Sequence, residues 1–502
     1  MHKIYLVSPY TEVKYYSPSY SLEYIKFYIM DNGYDAEIID CSHYDSGYEE
    51  VVNKFKEDEK PIIGITTYTR ERFHAYDLIR KIRLEIPDSC IVVGGRHFSC
   101  LAEEMLENLP EVDIVVRGEG EITFKEICDS VYNNKRLNDI KGISFREEDR
   151  VIHNPERPLE RNLDVFRCFD RNHLPDLEKQ PLTTKQFTRV GKVEGKNKKV
   201  EVFTIMASRG CPNSCVFCSL TSEKVRFRSI DNVLDEIEWK IEVTGMRYVS
   251  FIDSSLTIAK NYVRELCEKI IKRNMNIQWK CYSRVDIDLE LLKLMKTAGL
   301  VGIEIALESG SPRVLKSIKK RINIDLFEGV CKEAYKQGIK VWVFCLISLP
   351  DERIEDVDMT LSVIRRMSRY IYLAGMQSVR ILPDAAIYNL AKERNLLPSD
   401  FNWFKPYTNE VDPQISNINY NTVPLYLEHL SQPEIIAKLN EFNMIIKAGC
   451  SDFHSIKRAL KSNLKMEILK NLTLNDLRLK AGKTFVMLKS AYSNRERIKR
   501  YQ

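Results

Sequence analysis

The sequence has no long apolar run, and this absence limits the classes of protein that it can encode. Its longest largely apolar stretch, VWVFCLISL, has the length of a strand, whereas a helix that spans a bilayer needs roughly 18 or more apolar residues. The first residues, MHKIYLVSPYTEV, lack the apolar segment and the small-residue cleavage site of a secretory signal. We therefore expect a soluble, cytoplasmic protein without a membrane span.

The chain also has little net charge for its size. Its 502 residues carry a formal charge of only +5, although 29% of them are charged. This balance does not mark the chain as one that binds nucleic acids or membrane surfaces over its whole length. With 44% hydrophobic residues, the chain is long enough for two or three domains with proper cores.

Cysteine, in contrast, is abundant, with 13 residues. A disulfide framework is not expected in a chain without an export signal. Most of the cysteines are scattered, and we expect those to be small buried side chains. The scattered ones are Cys41, Cys90, Cys100, Cys128, Cys168, Cys267, Cys281, Cys331, Cys345 and Cys450.

The first third of the chain alternates short apolar runs with helical patterns. The runs are KIYLV (3–7), AEIID (36–40), IIGITTY (62–68), CIVVGG (90–95) and VDIVVRGEGE (112–121). Five strands that are each followed by a helix predict a parallel sheet covered on both faces, as in a flavodoxin-like domain. Ligands of such sheets bind at the loops that follow the strands.

Those loops share glycine, hydroxyl and aromatic residues. Glycine lets a backbone approach a bulky ligand, and hydroxyls offer hydrogen bonds, although any one of the loops alone also fits an ordinary turn. The candidate binding residues are Ser8, Pro9, Tyr10, Thr66, Thr67, Tyr68, Gly94, Gly95, Arg96, His97, Gly118, Glu119 and Gly120.

The three remaining cysteines lie within one loop, in MASRGCPNSCVFCSL (206–220). Cys211, Cys215 and Cys218 have the spacing C-x3-C-x2-C and follow a predicted strand at 202–206. Structural zinc usually has four protein ligands, and no further cysteine or histidine follows closely. Three thiolates would instead leave one iron of a 4Fe–4S cluster open for chemistry.

This loop, in the context SRGCPNSCVFC, strongly resembles the signature of the radical S-adenosylmethionine (SAM) superfamily. The resemblance implies that Cys211, Cys215 and Cys218 bind a 4Fe–4S cluster, and that SAM bound at the open iron is cleaved to a 5′-deoxyadenosyl radical. It also places Phe217 near the SAM adenine. The fold that it implies is a partial (β/α)6 TIM-like barrel.

The sequence downstream is consistent with such a barrel over roughly residues 200–395. Apolar strands recur at 248–255, 277–286, 302–311, 341–352 and 376–384, with polar residues at their ends. Each polar residue alone also fits a solvated strand end. From the resemblance, the residues expected to contact SAM are Asp253, Ser254, Ser283, Arg284, Glu308, Ser309 and Pro383.

Two strand ends depart from the family pattern. ALESGS has Ala306 where the family's Gly-x-Glu-Ser-Gly segment begins with glycine. LISLPDER resembles Gly-Leu-Pro-Gly-Glu-Thr, but Ser348 and Asp351 replace the glycines and Arg353 replaces the threonine. The resemblance therefore carries over SAM-contacting residues from the first of these segments and none from the second.

The loops GGRHFS and VVRGEGEITF resemble those of the cobalamin-binding domain upstream of many radical SAM enzymes. The resemblance covers about residues 1–135 and implies cobalamin at the candidate residues named above. The loop after the first strand, SPYTEVKYYSPS, contains no histidine, so cobalamin is expected to lack a protein histidine on cobalt. His43, His74 and His97 are expected to be surface or hydrogen-bonding residues.

We predict a cobalamin-binding α/β domain over 1–140 and a polar linker with a hairpin over 141–200. A radical SAM core then covers 201–398, and a helical C-terminal domain covers 399–502. This last part matches no motif, and its basic residues after 450 fit either a solvated face or a cap that attracts an anionic substrate or a partner protein.

The resemblance implies a cobalamin-dependent radical SAM enzyme that C-methylates an unactivated carbon of a natural-product, peptide or lipid substrate through methylcobalamin. A low-potential flavodoxin or ferredoxin is the expected electron donor, and nucleic acid is not an expected partner. One alternative is oxidation, cyclisation or ring contraction without methylation. The others are an RNA methylthiotransferase-like enzyme, which would need three more cluster cysteines, and a cobalamin sensor with a degenerate barrel.

Overall fold

Two seven-stranded sheets form the framework of the protein. The computed structural model describes residues 3–11, 20–44, 47–133, 135–167, 184–186, 200–220, 224–406, 412, 415 and 423–449. None of the helices in these ranges is long and apolar enough to cross a membrane.

The first sheet contains all five strands that the sequence predicts in this region. They are β1 (Lys3–Ser8), β2 (Asp35–Asp40), β3 (Ile62–Thr66), β4 (Cys90–Gly94) and β5 (Ile114–Val116), parallel and in the order β2-β1-β3-β4-β5. The helices are α1 (Tyr20–Asp31), α2 (Tyr48–Phe55), α3 (Arg72–Glu85), α4 (Arg96–Cys100), α5 (Ala102–Asn108) and α6 (Glu121–Asn133). Separate apolar clusters cover the two faces of the sheet, so the predicted doubly covered parallel sheet is confirmed.

The hairpin predicted after residue 141 is also present, as β6 (Ile143–Glu147) and β7 (Arg150–His153). It joins the first sheet, because β6 pairs antiparallel with β5 and buries Ile143 and Phe145 in the cluster on one face. The chain predicted as the start of a linker therefore completes the edge of the N-terminal sheet.

The second sheet contains the strands expected of the barrel. They are β9 (Val200–Ile205), β12 (Tyr248–Phe251), β13 (Gln278–Tyr282), β14 (Leu300–Glu308), β15 (Lys340–Ile347) and β16 (Leu373–Ser378), all parallel. The strand β8 (Thr184–Gln186), which the sequence did not predict, pairs antiparallel with β9. β16 begins three residues before the predicted strand, and the chain from Val379 to Asp384 follows it as a loop.

Eight helices among the described residues accompany this sheet. They are α7 (Ile230–Thr244), α8 (Lys260–Lys272), α9 (Leu289–Thr297), α10 (Pro312–Ser317), α11 (Ile324–Lys336), α12 (Ile354–Met367), α13 (Ala386–Glu393) and α14 (Gln432–Gly449). Their ends follow from local chemistry. The Ser229 hydroxyl accepts a hydrogen bond from the Asn232 amide to cap α7, which ends at Gly245 with a φ of +68°.

The predicted helix in the C-terminal region is α14, and it belongs to the barrel core. Ile435, Leu439 and Phe442 pack in the same apolar cluster as the strands of the second sheet. A separate domain over all of 399–502 is therefore not observed in the described part of the chain. Residues 450–502, which were also predicted to be helical, lie outside the described residues.

Candidate active site

The three cysteines lie in one loop directly after the two-residue strand β10 (Ser208–Arg209), which pairs with β11 (Arg226–Phe227). Gly210 turns the chain between β10 and Cys211 with a φ of +95°, a conformation that favours glycine. Cys215 is buried, and the other two cysteines are half-buried.

Backbone hydrogen bonds fix the middle of this loop. The Val216 amide donates to the Ile318 carbonyl (3.2 Å), and the Val216 carbonyl accepts from the Ile387 amide (2.8 Å). Two further donors approach cysteine sulfurs, since Asn213 Nδ2 lies 3.4 Å from Cys211 Sγ and the Leu220 amide 3.4 Å from Cys218 Sγ. Hydrogen bonds to sulfur are one of the ways in which proteins tune a cluster.

A charge pair lies beside the cysteines. Burial raises the pKa of the Cys215 thiol, and the positive charge of Lys320 opposes this effect. Lys320 Nζ is 2.9 Å from Glu308 Oε1. Glu308 ends β14 with a φ of +64°, which turns the chain out of the strand. The predicted SAM residue Glu308 is therefore close to the cysteine loop.

Asp253 has one free oxygen in a buried position. Its side chain is only 2% exposed, and its Oδ1 accepts a hydrogen bond from the Ser208 hydroxyl (2.5 Å). Its Oδ2 has no hydrogen-bond partner. Burial raises the pKa of Asp253 to about 6, although the Ser208 hydrogen bond opposes the shift. A buried, unpaired carboxylate oxygen requires a donor, and a ligand amino group would supply one.

The neighbouring predicted SAM residues differ in what they offer. Ser254 is exposed, whereas the Ser283 hydroxyl is buried between Thr257 Oγ1 (3.2 Å) and the Arg284 carbonyl (3.0 Å). The Arg284 guanidinium pairs with Asp286 at 2.9 Å. Of these three residues, Ser254 is exposed, Arg284 is half-buried and Ser283 is buried.

Ser309 is completely buried and serves the packing of two helices. Its hydroxyl lies 3.3 Å from Thr360 Oγ1 on α12 and accepts from the Ser311 amide (3.2 Å), at the start of α10. The structure therefore places Glu308 near the cysteines but engages the hydroxyl of Ser309 with α12.

Two residues that replace glycines of the family pattern, Ser348 and Asp351, keep a backbone conformation that suits glycine. Ser348 has a φ of +67° and Asp351 a φ of +63°. Ser348 is held in this conformation by a hydrogen bond from its hydroxyl to the Tyr426 carbonyl (2.5 Å). Asp351 is held by the salt bridge of its Oδ1 with Arg394 (3.1 Å). Side-chain contacts therefore stabilise two left-handed backbone conformations, which glycine would adopt at little cost.

The last two predicted SAM residues lie beside the cysteine loop. Phe217 is half-buried and packs against the apolar cluster that contains Val216 and Tyr426. Pro383 is half-buried in the loop after β16. Its neighbour Asp384 accepts a hydrogen bond from the Ser219 hydroxyl at 2.6 Å, and its Oδ2 has no hydrogen-bond partner.

The predicted cobalamin residues lie at one edge of the first sheet, where β1, β3, β4 and β5 end. Tyr10 and Tyr68 are 38% and 65% exposed, and they present aromatic surface at this edge. A Cβ at Gly95 would lie 2.4 Å from Thr66 Oγ1, so that turn requires glycine, whereas at Gly118 there is open space within 4 Å. The remaining residues of the set, Ser8, Pro9, Thr67, Gly94 and Gly120, belong to the same strand ends and loops.

His97 does not present its ring at this edge. The imidazole has no exposed surface, and its nitrogens contact the Tyr76 hydroxyl (2.7 Å) and the Thr69 hydroxyl (3.3 Å). The prediction of a hydrogen-bonding histidine is confirmed, and its ring is not available to a ligand in this conformation.

Arg96 and Glu119, also in the predicted cobalamin set, reach the second domain. Arg96 Nη1 donates to the Ser219 carbonyl (2.9 Å), one residue beyond the last cluster cysteine. Glu119 forms a bidentate pair with Arg226, at 2.7 and 3.0 Å. The side chain of Glu119 is therefore engaged by protein, and the ligand-binding edge of the first sheet directly contacts the cysteine loop.

Sequence reasoning missed several polar residues that complete the site. Ser208 and Arg209 directly precede the glycine of the cysteine motif, and this adjacency was the available signal. Lys320, Arg226 and Asp384 had no local signal, because their partners are 12, 107 and 165 residues away.

Two family models match the chain. The model of the radical SAM superfamily matches residues 205–364, and the model of the B12 binding domain matches residues 10–128. The first range contains the three cysteines, and the second contains most of the predicted cobalamin loops. The chain therefore contains a B12-binding domain followed by a radical SAM domain, and these two domains indicate an enzyme whose cofactors are a 4Fe–4S cluster, SAM and cobalamin.

Individual relatives extend over most of the chain. An uncharacterized methyltransferase of Pyrococcus horikoshii is 29% identical over 454 residues, which cover 87% of this chain and 94% of the relative. The anaerobic magnesium-protoporphyrin IX monomethyl ester cyclase of Rubrivivax gelatinosus is 26% identical over 352 residues, 68% of this chain and 61% of the cyclase. The solved radical SAM methyltransferase TsrM of Kitasatospora setae, with cobalamin and a [4Fe-4S] cluster bound, has a TM-score of 0.69 at 17% identity. That match covers 88% of this chain and 91% of TsrM.

The residues present fit the three cofactors. Three free thiols on one loop suit a cluster with an open iron. The unpaired Asp253 Oδ2 suits the amino group of SAM. The open space at Gly118, together with the exposed aromatic side chains of Tyr10 and Tyr68 at the same edge of the sheet, suits a large flat ligand such as cobalamin.

Proposed function

We propose that the chain is a cobalamin-dependent radical SAM methyltransferase that methylates an unactivated carbon of a natural-product, peptide or lipid substrate. The observation that carries this proposal is the contact between the two cofactor regions. Arg96, the first residue of α4 after the Gly94–Gly95 turn, donates to the carbonyl of Ser219 beside Cys218. The loop expected to hold cobalamin thus reaches the loop expected to hold the cluster, as a reaction that uses both cofactors requires.

When bound, the cluster and SAM supply the radical chemistry, and cobalamin supplies the methyl group. The residues of the chain hold and orient these groups. We assign the cluster to Cys211, Cys215 and Cys218, and the SAM amino group to Asp253 Oδ2. Glu308, which ends β14 and pairs with Lys320, is the candidate for a second polar contact with SAM.

The inner face of the second sheet supports a substrate site below these loops. Alternate residues of β13–β15, including Cys281, Ile303 and Val343, pack in the core under the helices. The opposite face carries Tyr282 and Phe344, each 38% exposed, with ring centroids 6.4 Å apart. Beside them, Lys280 and Glu304 form a salt bridge at 2.5 Å, and the strand register places Trp342 next to Glu304. Such a face suits an apolar or aromatic portion of a substrate.

The enzyme needs a reductant, and we propose a flavodoxin or ferredoxin in a reducing compartment such as the cytoplasm. The cysteines support this assignment. All eleven cysteines of the described ranges are free thiols, and free thiols are typical of reducing compartments.

A second candidate function is cyclisation without methylation. The match to the protoporphyrin ester cyclase of Rubrivivax gelatinosus favours it, because that relative aligns over 68% of this chain. The same cofactor loops would serve either reaction, so the outcome depends on the substrate.

An RNA methylthiotransferase-like function is less well supported, because the N-terminal cysteines do not converge. Cys41 packs in the apolar cluster on one face of the first sheet, while Cys90 and Cys128 pack in the cluster on the other. Cys100 is exposed. Three thiols on different faces of one sheet cannot bind a common second cluster.

The first test measures iron and cobalt in protein prepared without oxygen and reconstituted with iron, sulfide and cobalamin. We expect about four irons per chain and about one cobalt. Replacing Cys211, Cys215 and Cys218 by alanine should remove the iron and leave the cobalt. The exposed Cys100→Ala is the matched control and should keep both. Iron that persists in the triple variant would contradict the cluster assignment, and absent cobalt in the wild type would contradict the methyltransferase proposal.

The second test separates methylation from cyclisation without knowledge of the substrate. The reduced, reconstituted enzyme is incubated with SAM, and S-adenosylhomocysteine is measured together with 5′-deoxyadenosine. Methyl transfer from SAM to cobalamin predicts S-adenosylhomocysteine that depends on cobalamin. If only 5′-deoxyadenosine forms at full cobalamin occupancy, the cyclase-like function is favoured.

A further inference from the structure

The strand β10 lies where three cofactor loops meet. Its first residue, Ser208, donates to Asp253 Oδ1 at 2.5 Å, in the loop expected to contact SAM. Its second residue, Arg209, lies 3.3 Å from Glu119, in the loop after β5 that is expected to contact cobalamin, and 2.6 Å from Glu121, the first residue of α6. Cys211 follows after one glycine. Two residues thus connect all three loops directly.

The paired strand β11 contributes a second arginine to the same contact. Arg226, which is the register partner of Arg209, binds Glu119 through two parallel hydrogen bonds of 2.7 and 3.0 Å. We call Arg209, Arg226, Glu119 and Glu121 the arginine clamp. Bidentate arginine–carboxylate pairs fix orientation as well as distance, because the guanidinium is planar and rigid.

Most of the clamp is shielded from water. The side chains of Arg226 and Glu121 are 6% and 5% exposed and that of Arg209 is 13% exposed, whereas that of Glu119 is 22% exposed. The Arg209 guanidinium also lies over the rings of Tyr24 (4.8 Å) and Phe166 (5.1 Å). Solvent screens buried charge pairs much less than exposed ones, so the clamp resists displacement more than a surface salt bridge would.

The charges of the clamp match one another. Burial opposes ionisation of Glu119, but its hydrogen bonds with Arg226 and the charge of Arg209 hold the pKa of this carboxyl below its usual range. Two carboxylates therefore face two guanidinium groups, and the clamp needs no further ion. The space beside Gly118, where a Cβ would meet no atom within 4 Å, is left for a ligand.

We propose that the arginine clamp is a positioning device that fixes the separation of the cobalamin loop and the cluster loop. This inference rests on the proposed function, because the device has a purpose only if one reaction uses both cofactors. Its members are positioning residues, which act through the loops that they hold. A purely structural salt bridge would affect stability, whereas a positioning device also determines the distance between the two metal centres.

The test is a distance measurement by pulsed electron paramagnetic resonance between the reduced cluster and the Co(II) state of cobalamin. The holoenzyme is compared with Glu119→Gln, which keeps the size of the side chain and removes its charge, and with Arg226→Gln. We expect one narrow distance distribution in the wild type and a broader or shifted one in each variant.

Arg167→Gln is the matched control. Arg167 pairs with Asp31 at 2.9 Å, but its side chain is 53% exposed and touches neither cofactor loop, so the distance should not change. Iron and cobalt contents are measured for every sample. If Arg226→Gln does not fold, Glu119→Gln provides the measurement.

Two failures have different meanings in this design. An unchanged distance distribution in variants that hold full iron and cobalt would overturn the clamp and leave the proposed function standing. A wild type that holds iron but no cobalt would overturn the proposed function and the clamp with it.

Discussion

The imidazole of His97 is closed in by protein on every side. It contacts the hydroxyls of Tyr76 and Thr69, packs beside Trp403 with ring centroids 6.1 Å apart, and faces the positive charge of Arg72. Burial, with a smaller effect of Arg72, lowers the pKa of His97 to about 3. The ring is therefore neutral at physiological pH and holds α4 against α3.

This pKa predicts a pH dependence of stability. The unfolded His97 has a pKa of about 6.5, so between about pH 6.5 and pH 3 the unfolded chain binds more protons at this residue than the folded chain does. Stability should then fall as the pH drops through this range, by at most about 1.4 kcal/mol per pH unit. In His97→Asn, urea unfolding between pH 4 and 8 should lack this component. A difference between wild type and variant that stays constant over the range would contradict the prediction.

At the level of single residues, sequence reasoning located the chemistry but not the conformations. The spacing of Cys211, Cys215 and Cys218 needs no knowledge of distant parts of the chain, and the three residues do share one loop. The left-handed backbone of Ser348 and Asp351 could not be derived in this way. It depends on contacts with Tyr426 and Arg394, which follow much later in the sequence.

The segment after α13 links the two sheets at the level of elements. Trp403 is 3% exposed and lies in the apolar cluster of the first sheet, although it follows the barrel in sequence. Its carbonyl accepts a hydrogen bond from Arg72 Nε on α3 (2.9 Å), and the neighbouring Phe404 stacks on Tyr76 at 5.7 Å. A short aromatic segment therefore docks on α3 and extends the apolar cluster on that face of the first sheet.

Truncation of Trp403 tests this docking. Trp403→Ala should destabilise the protein by about 3–5 kcal/mol, because it leaves a cavity and exposes the buried Arg72. The measurement is urea unfolding at pH 7. Leu84→Ala is the control on α3, the helix on which the Trp403 segment docks. Leu84 is 80% exposed, so its truncation should change stability by less than about 0.5 kcal/mol. Equal effects of the two substitutions would contradict the docking.

The helices and strands themselves were largely predictable, because the periodicity of apolar residues and the glycines at turns are visible in short stretches of sequence. The five strands of the first sheet and the hairpin at 143–153 lie where the sequence placed them. β16 was displaced, since its sequence, LAGMQS, is less apolar than the following VRIL. The place of α14 in the barrel core was not predictable, because an amphipathic pattern shows that a helix has a partner but does not identify it.

On the scale of the whole molecule, a second buried charge network joins the two domains. Glu236, with no exposed surface, pairs with Arg228 and, at 2.9 Å, with Lys240. Both cations reach α1 of the first domain, since Arg228 contacts the Tyr24 hydroxyl (3.2 Å) and Lys240 contacts the Tyr20 hydroxyl (2.8 Å). Helix α7 is thereby attached to the B12-binding domain.

Such contacts between domains were the part of the site least accessible to sequence reasoning. The sequence predicted that Glu119 binds cobalamin. Nothing near it in the sequence indicated that its side chain pairs with Arg226, 107 residues later. Each domain could be derived from its own pattern. Their relative placement depends on side-chain pairs that become neighbours only after both domains have folded.

The network around Glu236 predicts a defined effect of losing one charge. Glu236→Gln removes the buried carboxylate that pairs with both Arg228 and Lys240, and breaking a buried pair in this way costs about 3–5 kcal/mol. Because both cations also contact α1, the loss should weaken the docking of the two domains. We expect calorimetry to show two thermal transitions for Glu236→Gln and one for the wild type.

Glu238→Gln gives the matched comparison, because Glu238 lies on the same helix and pairs with Arg273 at 3.3 Å on the surface, with its side chain 36% exposed. Exposed pairs contribute at most about 1 kcal/mol, so this variant should keep the single transition. If Glu236→Gln also unfolds in one transition with unchanged stability, the network does not couple the domains, and the contacts at the cofactor loops would have to hold the two sheets together without it.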